Sequence, residues 1–285
     1  MMAALADMLR VGARHLAGHG IASARLDAEV LAAHVLGRDR LVLLTAPPAL
    51  IDQQQRARFD ALIVARAKGA PVAYLTGQRE FWGFDFAVGP AVLIPRPDSE
   101  TLIEAVLAAW PSARAGPSIL DLGVGSGCLL LSLLKAWPQA RGIGVDLSAA
   151  ALAQARDNAA RLGVDQRAVF RQGDWWQALQ PGEGPFDVII ANPPYIDHQA
   201  LAGLAPEVRA HEPRLALDGG SDGLDAYRAI LGGIDGWLAT PGLLAMEIGH
   251  DQKDAVMALL PPALARRARA VKDLAGHDRV ILSQS

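Results

Sequence analysis

The sequence predicts an α/β protein: a seven-stranded, mainly parallel sheet preceded by a small helical domain and a connecting β-hairpin. Three observations predict it. From residue 118 onward, short apolar, β-branched runs alternate with helical patterns, the signature of a sheet covered on both faces. Asp121-Leu122-Gly123-Val124-Gly125-Ser126-Gly127, Asp146, Asp174-Trp175 and Asn192-Pro193-Pro194-Tyr195 follow the first four of those runs in order. Before residue 76, apolar residues recur at helical rather than strand spacing.

Leu5, Met8, Leu9 and Leu16 mark a first helix. Ser23 can cap a second, carrying Leu26, Val30 and Ala33, with Gly37 as its stop. Asp52 can cap another bearing Phe59, Leu62, Ile63 and Arg66, ended by Gly69 and Pro71. Residues 1–75 therefore read as a helical domain, either a partner-docking module or a stabilising one. Residues 76–94 read as a hairpin linker built on Arg79-Glu80-Phe81-Trp82-Gly83-Phe84. Residues 95–285 form the α/β domain. In Pro95-Arg96-Pro97-Asp98-Ser99-Glu100, Asp98 or Ser99 can cap a helix carrying Leu102, Ile103 and Val106. Strands are expected at 118–122, 141–146, 167–172, 186–191, 242–248, about 267–272 and 279–284. Helices are expected at 127–137, 148–162, 175–179, 222–238 and 251–260. The last two strands are joined without a helix and should pair antiparallel at one edge.

Composition narrows the function. Half of the 285 residues are apolar and the net charge is −3, which disfavours a stable nucleic-acid partner. Residues 1–75 carry nine Lys/Arg against six Asp/Glu, too small an excess for a nucleic-acid patch. Cys128 is the one cysteine, so neither a disulfide framework nor a cysteine-based zinc site is available. The histidines have no ligand spacing, and no metal is expected. No apolar run approaches membrane-spanning length, and Asp7 and Arg10 interrupt any leader-like core. The expected setting is cytoplasmic, and the expected state a monomer without a membrane partner.

The strand-end corners carry the chemistry. Glycines at 123, 125 and 127 let backbone approach a ligand at a helix start. Residue 128 is cysteine where a dinucleotide fingerprint needs glycine or alanine, and the phosphate-loop Gly-Lys-Ser/Thr ending is absent. The ligand therefore lacks a pyrophosphate. Asp146 can accept the two hydroxyls of a ribose. Asp174 can accept from an adenine amino group, with Trp175 packed on the ring. An Asp after a strand is ordinarily a turn residue; four corners in register describe an S-adenosylmethionine site with Gly123, Val124, Gly125, Ser126, Gly127, Asp146, Asp174, Trp175 and Asn192 around it. S-adenosylhomocysteine would be the product. Cys128 reads as a small buried residue, and Asp222, Asp225 and Glu247 as cap and loop residues.

Asn192-Pro193-Pro194-Tyr195 reads as the catalytic and acceptor-binding corner. Both prolines fix φ and lack N–H groups. The Asn192 side-chain oxygen and the Pro193 carbonyl can accept the hydrogens of a conjugated NH2, and Tyr195 can lie over its plane. A Pro-rich loop capping a strand is the plainer alternative; the apolar strand before it and the tyrosine after it favour the ligand reading.

Beyond this chemistry, the chain resembles the protein-glutamine methyltransferases of peptide-chain release factors (PrmC/HemK). The likeness covers nearly the whole chain. Leu26-Asp27-Ala28-Glu29, Arg79-Glu80-Phe81-Trp82, Leu93-Ile94-Pro95-Arg96-Pro97-Asp98-Ser99-Glu100, Asn192 to Ile196, Glu212-Pro213-Arg214-Leu215-Ala216-Leu217 and Asp278-Arg279-Val280 carry it. Val124 stands where Thr or Cys is common in that family. The resemblance implies a Rossmann-like, class I S-adenosylmethionine-dependent fold. It implies that Gly123 to Gly127, Asp146 and Trp175 hold the cofactor, and that Asn192 to Tyr195 hold the glutamine of a Gly-Gly-Gln tripeptide. The N-terminal helices would help dock a class I release factor. The Asn-Pro-Pro-Tyr corner is shared with nucleic-acid aminomethyltransferases, which leaves methylation of an adenine or guanine amine as the alternative. A module that binds cofactor and a partner without catalysis is a further one.

Overall fold

The computed structural model describes residues 3–45, 50–110 and 116–285. They form two compact units, Met1–Gln78 with Ala205–His211, and Arg79–Leu204 with Glu212–Ser285.

In the helical unit, β1 (Ala3–Ala4) leads into α1 (Leu5–Gly18), α2 (Ala24–Leu36) and α3 (Arg40–Thr45). β2 (Leu50–Ile51) pairs antiparallel with β1, and α4 (Gln53–Ala67) and α5 (Val72–Thr76) follow. Asp52 accepts from the Gln55 N–H, and the Gln55 side chain returns a bond to the Asp52 N–H, a reciprocal cap on α4. Gly37 ends α2 in the left-handed conformation. Ser23 precedes α2 but makes no side-chain cap. Of the apolar residues read on α2, Ala33 is in the core and Leu26 is not. Leu26 is 48% exposed, while Ala28, Leu31, Ala32 and Val35 pack with Met8, Leu16 and Phe59. Alanine carries this interface, because α1 and α2 pack side by side.

That choice of face buries charge. Asp27 accepts from Arg66 Nε at 2.7 Å, and Glu29 accepts from Arg25 and Arg40, each at 2.9 Å. In the α/β unit, the hairpin is β3 (Gln78–Phe81) and β4 (Phe84–Ala87), with Phe81 and Phe86 edge to face. One 3-10 turn, Pro97–Ser99, opens into α6 (Glu100–Ala109) without a side-chain cap from Asp98 or Ser99. Both side chains are committed elsewhere, as described below.

The alternation then runs β5 (Ser118–Leu122), α7 (Cys128–Ala136), β6 (Arg141–Asp146), α8 (Ala149–Arg161), β7 (Ala168–Gln172) and β8 (Phe186–Ala191). After β8, α9 (Pro206–His211) belongs to the helical unit, where Glu207 accepts from Arg66 Nη1 at 2.6 Å. α10 (Asp225–Gly232), β9 (Leu238–Glu247), α11 (Lys253–Leu259), α12 (Pro262–Ala265), β10 (Arg269–Lys272) and β11 (Asp278–Gln284) complete the chain. Trp175–Ala178 is a 3-10 turn rather than an α-helix. The expected 222–238 helix is shorter, because Gly232-Gly233 ends it. β9 starts earlier than expected, since Leu238 already pairs with Phe186 ahead of a register shift.

The sheet order is β10-β11-β9-β8-β5-β6-β7. Five strands run parallel; β11 is antiparallel to both β9 and β10. Alternate residues face opposite sides. Ile119, Val188, Ile190 and Leu243 join α6, α7 and α8 in one core, while Leu120, Ile189, Leu244 and Met246 join α10, α11 and α12 in the other. The order reverses at β5, where the carboxyl ends of β5 and β8 open a crevice. Among the described residues, no helix is long and apolar enough to cross a membrane, and no cluster of three His, Cys, Asp or Glu could hold a metal ion.

Burial would lower the Arg66 pKa, but its bonds to Asp27 and Glu207 raise it overall, so its charge is held. Asp27→Ala leaves that buried cation short of a partner and is expected to cost about 3 kcal/mol. Chemical denaturation followed on the helical unit measures it; Asp27→Leu combined with Arg66→Met should lose less than Asp27→Ala alone.

Candidate active site

A cavity of about 470 Å³ lies at the crevice, wholly within the α/β unit. Its walls include Gly123 to Ser126, Asp146, Asp174, Trp175, Asn192 and Pro194. Four strand ends thus meet on one space. Volumes of this size suit an organic cofactor.

The glycine turn is held from below. Gly123 and Val124 N–H groups both donate to the Val145 carbonyl, at 2.9 and 2.8 Å. Gly125 donates to Asp146 Oδ2 at 2.9 Å, and Ser148 donates to Asp146 Oδ1 at 2.8 Å. Burial raises the Asp146 pKa, and the Ser148, Gly125 and Leu147 N–H groups oppose it. These N–H groups do not use up the carboxylate's lone pairs, so it retains acceptor capacity for a ribose hydroxyl. Gly125 has φ +52° with open space where a Cβ would stand, so nothing screens its backbone from the cavity. A Cβ on Gly123 would stand 3.6 Å from the Trp175 ring. Trp175 itself has φ +45°, a conformation costly for an aromatic residue and concentrated at ligand sites. The residues present fit an adenosyl-type ligand: a close backbone, a carboxylate and a fixed indole.

Gly127 lies behind this lining. A Cβ there would meet Leu131 Cδ1 at 2.8 Å, so its absence serves the first turn of α7. Cys128 borders the cavity, but burial pushes its thiol up to about 12. It stays neutral, in keeping with a small packing residue.

The Asn192 corner is braced from four directions. Asn192 Nδ2 donates to Ser99 Oγ at 3.2 Å. The Tyr195 carbonyl accepts from Gln252 Nε2 at 3.0 Å, and Gln252 also reaches the Gly223 carbonyl at 3.2 Å. Ile196 exchanges backbone bonds with Leu217 and Gly219, at 3.0 and 2.8 Å. Gly219 must lack a side chain: its Cβ would stand 2.8 Å from the Tyr195 Cα and 2.9 Å from the Pro194 carbonyl. Pro193 and Tyr195 are not in the cavity lining. Tyr195 packs instead with the core beneath α10. Burial pushes its phenol up to about 12, with the Glu247 charge adding to the shift.

Sequence reasoning missed Ser99 and Glu247 as members of this corner. Glu247 ends β9 and is 1% exposed, so it is not a loop residue. Burial pushes it up to about 7, while bonds from Ser99 and Asn192 and the Arg279 charge pull it down. Its Oε2 has no hydrogen-bond partner. An acidic residue closing an otherwise apolar strand was the available signal. Asp222, by contrast, does act as a loop cap, accepting from the Leu224 N–H, and it pairs with Arg228.

Three further motif segments are tied to one another in the α/β unit. Arg96 donates to Glu212 Oε1 at 2.6 Å, and Glu212 Oε2 accepts from the Ile94 N–H at 3.2 Å. Arg279 bridges Asp98 at 3.2 Å and Asp273 at 3.1 Å. Asp98 and Ser99 are therefore ties between segments rather than helix caps.

A crevice at a strand-order reversal, lined by a glycine turn, acidic strand ends and a proline-rigid amide corner, defines a Rossmann-like methyltransferase. The Methyltransferase domain family matches residues 119–211, and the PrmC N-terminal domain family matches residues 7–77. The release factor glutamine methyltransferase of Caulobacter vibrioides is 44% identical over 263 residues, covering 92% of this chain and 90% of that one. That of Cereibacter sphaeroides is 45% identical over 276 residues, covering 97% and 96%. A methyltransferase structure from Pyrococcus furiosus, 16% identical, covers 82% of this chain and 98% of its own, with a TM-score of 0.51, a likeness of fold. The chain belongs to the release factor glutamine methyltransferase family.

Asp121, next to last in β5, is buried, with neither carboxylate oxygen hydrogen-bonded. Burial pushes it from 3.8 up to about 8, and the Asp146 charge adds to the shift. The folded protein therefore keeps a proton that the unfolded chain releases. Asp121's contribution to stability is full below its unfolded pKa and is lost as pH rises to about 8. Asp121→Asn should remove that loss. Its melting temperature should exceed the parent's by more at pH 8 than at pH 5, by roughly 3 °C or more.

Proposed function

We infer that this protein transfers a methyl group from S-adenosylmethionine to the side-chain amide nitrogen of a glutamine in a peptide-chain release factor. One observation carries the reading. The Asn192 amide nitrogen donates to Ser99 Oγ at 3.2 Å, so the bond engages its nitrogen rather than its oxygen, and both residues line the cavity that the glycine turn and Asp146 also border. An oxygen presented there is an acceptor for a substrate NH2.

S-adenosylmethionine supplies an electrophilic methyl on a sulfonium. Gly123 to Ser126, Asp146, Asp174 and Trp175 would hold its adenosyl part. Asn192 accepts from the substrate amide, and Pro193 to Tyr195 keep the corner stiff. An amide nitrogen is a poor nucleophile because its lone pair feeds its carbonyl. Acceptors on its hydrogens orient that lone pair. They also stabilise the positive charge that grows on nitrogen, so they favour the transition state over the ground state. The proton can leave after transfer, and no tuned base is required. The helical unit would help dock the factor, in the cytoplasm and as a monomer. The names of the relatives and the family match over residues 7–77 support this reading.

Mass spectrometry of a release factor incubated with this protein and S-adenosylmethionine tests it. One methyl on the side chain of the Gly-Gly-Gln glutamine is the expected result; labelled methyl on DNA or RNA, with none on the factor, overturns it. Asn192→Ala should lower turnover by about 100-fold, the scale for a lost charge stabiliser. Cofactor affinity by calorimetry should change little. Asp146→Ala should do the reverse first, weakening cofactor binding by about tenfold or more, the scale of one charge-assisted hydrogen bond.

A further inference from the structure

We propose that Glu247 is a positioning residue that, together with Ser99, sets which way the Asn192 amide faces. The inference rests on the methyl-transfer reading above and adds a residue to it. An asparagine amide has two orientations, and only one presents oxygen to an incoming NH2; the other presents a second NH2 and repels it. The choice is made by what the amide nitrogen meets.

Here it meets a hydroxyl acceptor at the cavity's edge. Ser99 Oγ lies 3.2 Å from Asn192 Nδ2. Glu247 follows Met246, which pairs with Ala191 across β9 and β8, so Glu247 stands at the strand end beside Asn192; Ser99 and Asn192 both draw its pKa down against burial. Ser99 is 2% exposed and Glu247 1% exposed, so both are held by the protein around them. Glu247 is not in the cavity lining; it acts through Asn192, not on the substrate.

The position of Glu247 is itself fixed. Its backbone carbonyl accepts from the Tyr227 hydroxyl at 2.9 Å, and its residue pairs with Val280 across β9 and β11. A buried carboxyl with one oxygen, Oε2, left unbonded is costly to keep. An apolar residue at the end of an apolar strand would be cheaper, which is the mark of a group retained for orientation.

The test compares Glu247→Leu, Glu247→Gln and Ser99→Ala with the parent protein, using a release factor and S-adenosylmethionine. Glu247→Leu removes the acceptor and should lower kcat by about tenfold or more, the scale of a lost orienting hydrogen bond. The factor's KM and the S-adenosylmethionine Kd should shift by less than about threefold, since neither ligand touches Glu247. Glu247→Gln keeps an acceptor oxygen and should recover kcat to within about threefold of the parent. Ser99→Ala should lower kcat in the same direction as Glu247→Leu. Asn192 side-chain amide protons, followed by NMR, should exchange faster in Glu247→Leu and Ser99→Ala than in the parent or Glu247→Gln.

A folded Glu247→Leu protein with parental kcat overturns the proposal. So does a Gln variant as slow as the Leu variant, which would assign Glu247 to proton acceptance instead. If Glu247→Leu does not fold, Ser99→Ala and Glu247→Gln decide: parental kcat and amide exchange in Ser99→Ala overturns the proposal. A parent protein that methylates no release factor refutes the methyl-transfer reading; an active parent with an indifferent Glu247 refutes this inference alone.

Discussion

How one amide is held decides what the carboxyl edge of the sheet can do. The Asn192 nitrogen is tied to a hydroxyl 93 residues earlier in the chain. Ser99 can reach it because the Pro-Arg-Pro segment stiffens the approach and Arg279 anchors the neighbouring Asp98 from the last strand. The corner's prolines remove N–H groups that would otherwise compete. Gln252 and the 217–219 backbone then fix the chain on its far side. Loss of any one tie would leave the corner free to turn, and an amide that turns offers the wrong group.

The opposite wall follows a different rule. There the glycine turn brings backbone to the cavity, and Asp146 both lines the cavity and pins that turn. Asp146 spends two bonds on Gly125 and Ser148. The turn is therefore set before any ligand arrives, which cuts the ordering cost of binding. One wall is tuned by what its side chains donate to, the other by what its backbone is allowed to approach.

Much of this was legible in the chain, and the gaps have physical causes. Parallel strands buried on both faces, such as β5 and β8, leave an unbroken apolar run that a reader can find. The glycine turn and the Asn-Pro-Pro-Tyr corner are contiguous, so their chemistry shows in order. Ser99 and Glu247 were not readable as partners of Asn192, because only the sheet order brings β9 and the residue-99 turn to β8. The buried face of α2 was not readable from its larger apolar residues, because Ala28 and Ala32 are buried while Leu26 is exposed, and because Asp27 is buried through an ion pair with Arg66 that no periodicity reveals. Tyr195 looked like a ring for the substrate; it is partly buried against the core that includes α10, and the Gly219 backbone that approaches it lies 24 residues on, out of reach of any local pattern.

The excursion of residues 205–211 has a consequence for anyone who cuts the gene. The chain leaves the α/β unit soon after the Asn192 corner, contributes α9 and Glu207 to the helical unit, and re-enters at Glu212, which braces Arg96 and the Ile94 backbone. A truncated clone lacking residues 1–78 would strip α9 of its companions and leave Glu207 without its guanidinium. The loosened loop would end one residue from a cavity brace. Lost activity in such a clone would confound two defects, a missing helical module and a slackened cavity wall, and only a version with 205–211 replaced by a short neutral bridge would separate them.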